Sequence, residues 1–206
     1  MSDSYYVLDK TGHAETRVKG SRFVAEAFSV SSVEEAEAAL AAARKADYDA
    51  THHCSAYRIG REGHTFRYSD DGEPNGSAGL PIFRQIEGRE WTDTMVIVIR
   101  YYGGTKLGTG GLVRAYGEAA SLALDAATSR EVIPRTRIRI RFAYDDTSPA
   151  MHTINQFDVL IVDTAYSDDT ELTLDVRTSE IGAFEAAFTE GLSGRGTISR
   201  PSEDAN

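Results

Sequence analysis

The feature that most limits the possible folds of this chain is a continuous apolar run that leads directly into a glycine-rich segment. Residues 94–102 read TMVIVIRYY, without alternation of apolar and polar side chains, which predicts a strand covered on both faces. Residues 103–111, GGTKLGTGG, contain five glycines, and apolar side chains then recur at helical spacing from Leu112 to Ala123. We therefore expect a buried strand, a glycine-rich loop and a helix that begins near Gly110 and ends near Ala127.

The segments before this run predict further strands and helices. Ser32 and Glu35 have the spacing of a capping box, so a helix should follow Ser32 and end near Ala46. A glycine-containing turn at 60–63 separates two runs that read as paired strands. The predicted strands are 22–30, 52–60 and 64–69, and a short helix begins near Ser77 or Leu80.

The chain changes character near residue 135. Residues 129–137, SREVIPRTR, contain Pro134 and are typical of a linker. We therefore expect one domain at 1–135 and a second at 136–206. The second segment has the element order β-α-β-β-α-β. This order predicts a ferredoxin-like domain, in which two helices cover one face of a four-stranded antiparallel sheet.

Composition excludes several classes of protein. The single cysteine, Cys54, excludes an internal disulfide and a multi-thiolate metal site. No run approaches the ~18 apolar residues of a membrane span, and residues 1–10 have no basic and apolar leader. We therefore expect a cytoplasmic protein with no membrane partner, and we predict no metal and no cofactor.

The chain is acidic, and its charged residues are unevenly distributed along the sequence. A net charge of −10 argues against a general nucleic-acid coat protein. Residues 1–135 hold 16 basic and 19 acidic side chains, whereas residues 136–206 hold 6 and 13. No acidic residue lies between Thr94 and Gly117, where Arg100, Lys106 and Arg114 stand. We therefore predict a local positive patch around the glycine-rich loop.

The glycine-rich loop matches neither common nucleotide-binding motif. Gly103 and Gly108 have the spacing of a P-loop but lack the lysine that should follow, and a dinucleotide motif would need glycine at Val113. A G-x-x-G pattern from Gly108 to Gly111 remains beside cations and tyrosines. Free amides at a helix N-terminus favour an anion, and such a loop can clamp a nucleic-acid backbone. The alternative is a connection that needs glycine only for tight packing.

Histidine, cysteine and carboxylates precede the apolar strand and allow two interpretations. His53 and Cys54 are neighbours in a predicted strand, and Asp70, Asp71 and Glu73 follow the next one. These residues could form a metal site or a Cys/His/Asp nucleophilic set. The other interpretation, which we favour, is a turn whose carboxylates cap backbone amides, with a cysteine that belongs to the core. We therefore assign no catalytic residue.

The second domain carries an alternating basic strand. Arg137, Arg139 and Arg141 share one face of that strand, and helices of a ferredoxin-like domain leave one face of the sheet open. This strip is expected to contact RNA or a protein, or to be solvated. The acidic residues from Asp163 to Glu190 disfavour RNA there, so a protein partner is at least as well supported.

Four motifs in the sequence resemble the IMPACT/YigZ family: KGSRF, HHCSAY, SDDGEPNGSAGLPI and VIRYYGGTKLGTGGLVRAYGEA, within residues 19–127. The resemblance implies an α+β protein of two domains. The first is a left-handed β-α-β domain similar to ribosomal proteins and to domain IV of elongation factor G. The second is a ferredoxin-like domain similar to domain V of that factor. The family pattern falls on His53, Asp70, Asp71, Gly72, Glu73, Pro74, Gly76, Ala78, Gly79, Pro81, Arg100, Tyr101, Gly103, Gly104, Leu107, Gly108, Gly110, Gly111, Leu112, Arg114 and Tyr116.

We predict an RNA- or ribosome-binding protein, a translation-related regulator that binds phosphate at the glycine-rich loop. The predicted anion or RNA site comprises Arg100, Tyr101, Gly103, Gly104, Lys106, Gly108, Gly110, Gly111, Arg114 and Tyr116. A neighbouring loop shapes the site through His53, Asp70, Asp71, Gly72, Glu73, Pro74 and Gly76. The alternative is an enzyme acting on a phosphorylated small molecule, with His53 and Asp71 as its acid/base pair. The sequence does not predict the oligomeric state.

Overall fold

The structure, a computed structural model, describes residues 3–200. Its contacts divide the chain into two compact units. The N-terminal unit is formed by residues 5–132, and residues 133–200 with residues 3 and 4 form the C-terminal unit. Within this part of the chain, none of the helices has both the length and the apolar character that crossing a membrane requires.

The N-terminal unit mixes strands and helices. Its strands are β1 (Tyr5–Lys10), β2 (Gly12–Val18), β3 (Ser21–Ser29), β4 (His52–Ile59), β5 (Thr65–Ser69), β6 (Trp91–Thr92), β7 (Thr94–Tyr101) and β8 (Thr128–Val132). Its helices are α1 (Val33–Ala46), α2 (Gly79–Glu87) and α3 (Thr109–Ala126). Five strands form an antiparallel sheet of order β2-β3-β7-β4-β5.

Strand β7 lies in the middle of this sheet and is covered on both sides. Val96 and Val98 belong to the core that includes α2 and α3, whereas Met95 and Ile97 belong to the core against α1. Side chains of a strand alternate between its two faces, so a strand between two cores must be apolar at every position. The predicted doubly covered strand is confirmed.

The helices of this unit begin and end close to their predicted positions. The hydroxyl of Ser32 accepts a hydrogen bond from the Glu35 N–H at 3.1 Å, and α1 ends at Ala46. The glycine-rich loop leads from β7 into α3, as the sequence predicts. The buried residues of α3 include all five of the predicted apolar positions, Leu112, Tyr116, Ala119, Ala120 and Ala123.

A second small sheet was not predicted. Strand β1 pairs in parallel with β6 and antiparallel with β8, which gives the order β6-β1-β8. The predicted linker, residues 129–137, is therefore corrected, because Thr128–Val132 is a strand of the N-terminal unit. These short strands are mostly polar, and only pairing with distant partners makes them strands.

The C-terminal unit has the predicted element order. It consists of β9 (Arg135–Phe142), α4 (Thr147–Ile154), β10 (Val159–Tyr166), β11 (Thr170–Arg177), α5 (Ile181–Gly191) and β12 (Thr197–Ser199). The strands pair antiparallel in the order β10-β11-β9-β12. Its core joins the alternate apolar residues of β9 and β11 to Phe184 and Phe188 of α5. The mixed α+β class and the two-domain organisation are confirmed.

The three alternating arginines of β9 lie on the polar face of this sheet, but they do not form a basic strip. Arg137, Arg139 and Arg141 are about half exposed, and each makes an ion pair with a carboxylate on or next to β11. The partners, at 2.8 to 3.1 Å, are Asp175, Glu171 and Asp169 in that order. The expected positive strip is therefore corrected to a row of neutral pairs.

Candidate functional site

A cleft of about 560 Å³ lies where the end of β7 meets the beginning of α3. Its walls come from the loop after β7, the segment before β4 and the acidic turn after β5. The lining residues are Thr51, His52, Glu73, Pro74, Arg100, Tyr102, Lys106, Leu107, Gly108, Thr109 and Leu112. Two groups that are remote in sequence, the glycine-rich loop and the acidic turn, therefore contribute to one site.

One side of the cleft is formed by the N-terminus of α3. Gly108 is the N-cap residue, with φ 71° and ψ 161°, a conformation that favours glycine over residues with a side chain. No side chain caps this helix end, and its first intrahelical bond runs from Leu112 N–H to the Gly108 carbonyl at 2.9 Å. The amides of the first turn therefore carry the positive end of the helix dipole without an internal acceptor.

Lys106 adds a full positive charge to this side of the cleft. It is exposed and lines the cleft beside Gly108 and Thr109. None of the carboxylates between residues 3 and 200 forms an ion pair with it. The lining residues contain two cations and the single carboxylate of Glu73, which leaves the cleft positive within an acidic protein.

The floor of the cleft is a buried network centred on Glu73. Glu73 Oε1 accepts a hydrogen bond from Arg100 Nη1 at 2.5 Å and another from the Tyr116 hydroxyl at 2.8 Å. The side chains of Glu73 and Arg100 are only 4% and 5% exposed. Arg100 Nη2 also donates to Ser21 Oγ at 3.2 Å, whereas Arg100 Nε is buried and has no acceptor within the described chain.

The network corrects the predicted role of two residues. Arg100 was expected to pair with phosphate, but its charge is already balanced by Glu73. Tyr116 was predicted to belong to the anion or RNA site, but it is fully buried in the core, where its ring meets Phe23 edge-on at 5.1 Å. Burial, together with the nearby Cys54 and Glu73, raises the pKa of Tyr116 well above its ordinary value.

The aromatic side chain in the cleft is Tyr102, not Tyr101. Tyr102 is 46% exposed, and its ring centroid lies 5.4 Å from the guanidinium carbon of Arg100. Tyr101 belongs to the α1 side of the sheet, where its hydroxyl donates to Asp47 at 2.6 Å. This hydrogen bond raises the pKa of Tyr101 to about 12. The alternation that takes Tyr101 out of the cleft places Tyr102 on the face of Arg100.

The acidic turn has the capping role that the sequence predicts. The Asp70 carboxylate accepts hydrogen bonds from the N–H groups of Gly76, Ala78 and Gly79 at 2.8 to 2.9 Å. Three amides around the start of α2 are thereby satisfied, and a negative charge lies at the positive end of that helix. Asp70 therefore fixes the loop that carries Glu73 and Pro74 into the cleft.

Asp71 connects the same turn to β4 and α1. Its carboxylate accepts from the His53 N–H at 2.7 Å and from Arg44 at 2.6 Å. Burial acts to raise the pKa of Asp71, but these two donors outweigh it and hold the pKa below its ordinary value. The turn itself uses positive φ values, 44° at Asp71 and 88° at Gly72.

The histidine of the cleft is His52 rather than His53. His52 pairs with Arg100 in the sheet and donates from Nδ1 to the Asp71 carbonyl at 2.8 Å, while its Nε2 lies 3.9 Å from Glu73 Oε1. His53 lies on the opposite face of β4 and is buried, with Nδ1 4.0 Å from Asp71 Oδ2. The prediction that His53 and Asp71 form an acid/base pair next to a phosphate site is therefore wrong, because His53 faces away from the cleft.

The remaining predicted residues take several positions. Arg114 is exposed on α3 and does not line the cleft. Gly103 has a packing role, because a Cβ there would lie 1.9 Å from the carbonyl carbon of Gly20. Gly104 has φ 85°, and Gly110 and Gly111 lie in the first turn of α3. Close packing therefore requires glycine at position 103, whereas Gly110 has no atom within 4 Å of an added Cβ.

The chemistry of the site offers little for covalent catalysis. Burial raises the pKa of the Cys54 thiol to about 12, and its Sγ donates to the Asp70 carbonyl at 3.1 Å, so this thiol is a core residue rather than a nucleophile. Between residues 3 and 200, no group of three or more His, Cys, Asp or Glu side chains is arranged to hold a metal ion.

The predicted site did not include two residues of the cleft, His52 and Tyr102. Tyr102 could have been found, because it stands two residues after Arg100 and therefore shares its face. His52 could not, because its place depends on the register that sets it opposite Arg100. The buried pair of Glu73 and Arg100 depends on the same contact between distant segments.

Comparison with protein families covers both units. The family model of the Impact N-terminal domain matches residues 19–124, and that of a domain of unknown function, DUF1949, matches residues 140–195. Both the cleft and the acidic turn lie in the first match. The second match lies within the ferredoxin-like unit.

Similar proteins are found in several bacteria. The chain is 34% identical to the IMPACT family member YvyE of Bacillus subtilis over 201 residues, 96% of this chain and 91% of YvyE. It is 33% identical to the IMPACT family member YigZ of Escherichia coli over 175 residues, 84% of this chain and 86% of YigZ. A solved structure described as that of a hypothetical protein is 29% identical, with a TM-score of 0.67 over 99% of this chain and 100% of the other.

Proposed function

The chain belongs to the IMPACT family, and from this premise we propose that it binds RNA at the cleft between β7 and α3, as a translation-related regulator. The observation that carries the proposal is the convergence of three features in one place. These are the uncapped N-terminus of α3, the unpaired charge of Lys106 and the half-exposed ring of Tyr102. Helix amides and lysine suit a phosphate, and an aromatic ring suits a base.

The charge of the whole molecule limits how this binding works. A net charge of −10 repels RNA at long range, so affinity has to come from short-range contacts inside the cleft. Few phosphates would be neutralised, and the dependence of binding on salt should therefore be shallow. This distinguishes the proposal from coating of RNA by a broad basic surface.

The two exposed cations of this region provide a matched test. Lys106 lines the cleft, whereas Arg114 is also exposed, lies eight residues away on α3 and does not line the cleft. We expect Lys106→Ala to weaken binding of a fluorescein-labelled single-stranded RNA in an anisotropy titration, and to reduce the salt slope by about 0.7. Arg114→Ala should bind like the wild type. Equal affinity of all three proteins, or no binding by any, would refute RNA binding at this cleft.

A role at the ribosome is the finer part of the proposal. It is supported by the resemblance of the two domains to domains IV and V of elongation factor G. Co-sedimentation with ribosomes, compared between the wild type and Lys106→Ala, tests it. Loss of co-sedimentation in the variant supports ribosomal RNA as the target. Wild-type protein that stays in the supernatant argues against the ribosome but leaves RNA binding to be judged by anisotropy.

The enzyme alternative has no comparable support. It needs an acid/base pair beside the anion seat, and the pair named for it, His53 and Asp71, lies at the opposite face of β4. The cleft does contain His52 near Glu73, but that carboxylate is occupied by Arg100 and Tyr116. We therefore propose a binding function for the cleft.

A protein contact at the C-terminal sheet is a second, separate proposal. Strand β10 is an edge strand, and Leu160, Ile161 and Val162 are each about half exposed, with Tyr166 at 77%. Exposed apolar edge strands pair readily with another chain. The partner we propose is a second copy of this chain. Strand β10 holds one charged side chain, Asp163. If two β10 strands pair antiparallel with Ile161 at the centre, the two Asp163 side chains lie on opposite sides of that centre and do not meet. Sedimentation equilibrium tests this: Ile161→Lys should remain a monomer where the wild type dimerises.

A further inference from the structure

We propose that the cleft takes a single unpaired nucleobase, with the base directed to the floor and its phosphate at the mouth. This deepens the RNA-binding function and rests on it. It names single-stranded RNA, or an extruded nucleotide, as the ligand class. Four properties of the cleft lead to it: an orphaned buried donor, a neutral floor, a positive mouth and an aromatic wall.

The orphaned donor is the Nε–H group of Arg100. The Arg100 side chain is 5% exposed and lines the cleft, yet Nε has no acceptor among residues 3–200. A buried donor without an acceptor is destabilising and rare in native proteins. A ligand that brings an acceptor to the floor of the cleft removes this deficit, so the floor points to a ligand that enters.

The acceptor that suits this floor is neutral. Arg100 and Glu73 form a tight pair with their charges balanced, at 2.5 Å between Nη1 and Oε1. A phosphate pushed to this depth would meet the Glu73 carboxylate in a buried environment, where like charges repel strongly. A carbonyl oxygen or ring nitrogen of a base would accept from Nε without that repulsion. The floor therefore favours a base over a phosphate.

The mouth of the cleft has the opposite preference. Lys106 and the first amides of α3 lie there, and neither has a negative partner within the described chain. An anion is stabilised by both groups. The order from mouth to floor is thus an anion seat, then apolar walls from Pro74 and Leu107, then a hydrogen-bonding floor. A nucleotide has the same order of phosphate, sugar and base.

The aromatic wall fixes how the base enters. The ring of Tyr102 lies 5.4 Å from the guanidinium carbon of Arg100 and is 46% exposed. A base that accepts from Arg100 Nε would lie close to this ring, so the two rings can stack. Bases within a duplex are stacked and paired and cannot enter a cleft of this kind without being extruded.

The experiment compares two forms of one RNA. Anisotropy titrations measure wild-type binding to a short labelled single strand and to the same strand annealed to its complement. We expect the single strand to bind roughly 5- to 150-fold more tightly, the equivalent of one base stacked on an aromatic side chain. Tyr102→Ala should lose most of this preference, whereas Tyr48→Ala, a tyrosine that is 84% exposed on another part of the surface, should keep it.

A second variant examines the floor. Arg100→Lys keeps a positive charge opposite Glu73 but lacks the Nε–H group, so it should lower the affinity for the single strand and leave the duplex affinity unchanged. Circular dichroism establishes whether this variant is folded; if it is not, Tyr102→Ala decides the question alone. Retention of the full single-strand preference by Tyr102→Ala would overturn the inference.

The outcomes separate the inference from the function on which it rests. If single strand and duplex bind equally to the wild type and Lys106→Ala weakens both, RNA binding stands and the inserted base is refuted. If Lys106→Ala changes neither, the RNA-binding proposal falls, and the inference with it. A single-strand preference that Lys106→Ala weakens and Tyr102→Ala abolishes supports both.

Discussion

Replacing Glu73 by glutamine tests the buried network on which the cleft rests. The substitution keeps the shape of the side chain and removes its charge, so Arg100 is left as a buried cation without a counter-ion. In the structure Glu73 Oε1 accepts two hydrogen bonds, at 2.5 Å from Arg100 and at 2.8 Å from Tyr116. Both ends of the ion pair are at most 5% exposed, so water can replace the lost partner only in part.

The magnitude follows from the buried charge that is left behind. A hydrogen bond to a charged group contributes about 1.5–3 kcal/mol; the amide oxygen of glutamine can accept both of the bonds that Glu73 Oε1 accepts, but without the charge that strengthens them. Removal of one partner from a buried ion pair destabilises a protein by about 3–5 kcal/mol. We therefore expect Glu73→Gln to lower the free energy of unfolding of the N-terminal unit by about 3–5 kcal/mol.

The chain provides its own probe for this measurement. Trp91 is the single tryptophan, and it packs partly buried against the core of the N-terminal unit, so its fluorescence during urea unfolding follows that unit. Glu37→Gln is the matched control, because Glu37 pairs with Arg67 at 3.2 Å with both side chains at least 60% exposed. The control should unfold like the wild type, since exposed pairs contribute little.

Two results would contradict the expected loss of stability. A loss below about 1 kcal/mol, the range of exposed pairs, would show that the Glu73–Arg100 pair is not a dry internal pair. The double variant Glu73→Met/Arg100→Met provides the second result. It should be more stable than Glu73→Gln, because neither charge is then left buried alone. A double variant less stable than the single one would also contradict this account.

Three further predictions concern other parts of the N-terminal unit. Gly103→Ala should destabilise this unit severely, because the new Cβ would lie 1.9 Å from the Gly20 carbonyl carbon. Gly110→Ala is the control: its new Cβ would have no atom within 4 Å, so urea unfolding should not shift to lower concentration. Cys54, with a pKa raised to about 12 by burial, should react with iodoacetamide at pH 8 only after unfolding, as mass spectrometry would show. The pKa of Asp71 is lowered in the folded protein, so the ionised carboxylate stabilises the fold fully above about pH 3.9, the pKa of an unperturbed aspartate. This stabilisation is lost as the pH falls through the lower pKa of the folded state. Asp71→Asn should therefore flatten the acid limb of a profile of stability against pH.

The parts of the fold that sequence alone could predict are those with strong local patterns. The continuous apolar run became β7, the capping box at Ser32 became the start of α1, and the apolar positions of α3 are buried as expected. Strands β1 and β8 escaped prediction because their residues are mixed in polarity. Their identity comes from pairing with each other, more than 100 residues apart, as Tyr5 with Val132 shows.

In the candidate site, too, only the features with a local sequence signal could be predicted. The glycine-rich loop, Lys106 and the capping Asp70 could be identified from residue type and position. The buried pair of Arg100 and Glu73 could not be identified. A cation next to glycines in the sequence suggests a phosphate-binding residue, and only the structure shows that Arg100 has an internal partner. The face that Tyr102 shares with Arg100 follows from strand alternation, whereas the position of His52 opposite Arg100 is fixed only by the sheet.

The charged pairs between β9 and β11 also restrict how these two strands can be aligned. Inward apolar residues repeat every second position, so a slip by two residues would still keep them inside. The charges reject one of these two slips, because it sets Arg137 opposite Arg177 instead of Asp175. The other slip sets Arg137 opposite Thr173 and keeps Arg139 beside Glu171. Like charges placed face to face are destabilising. The outer face of this sheet therefore disfavours an alignment that the apolar face alone would allow.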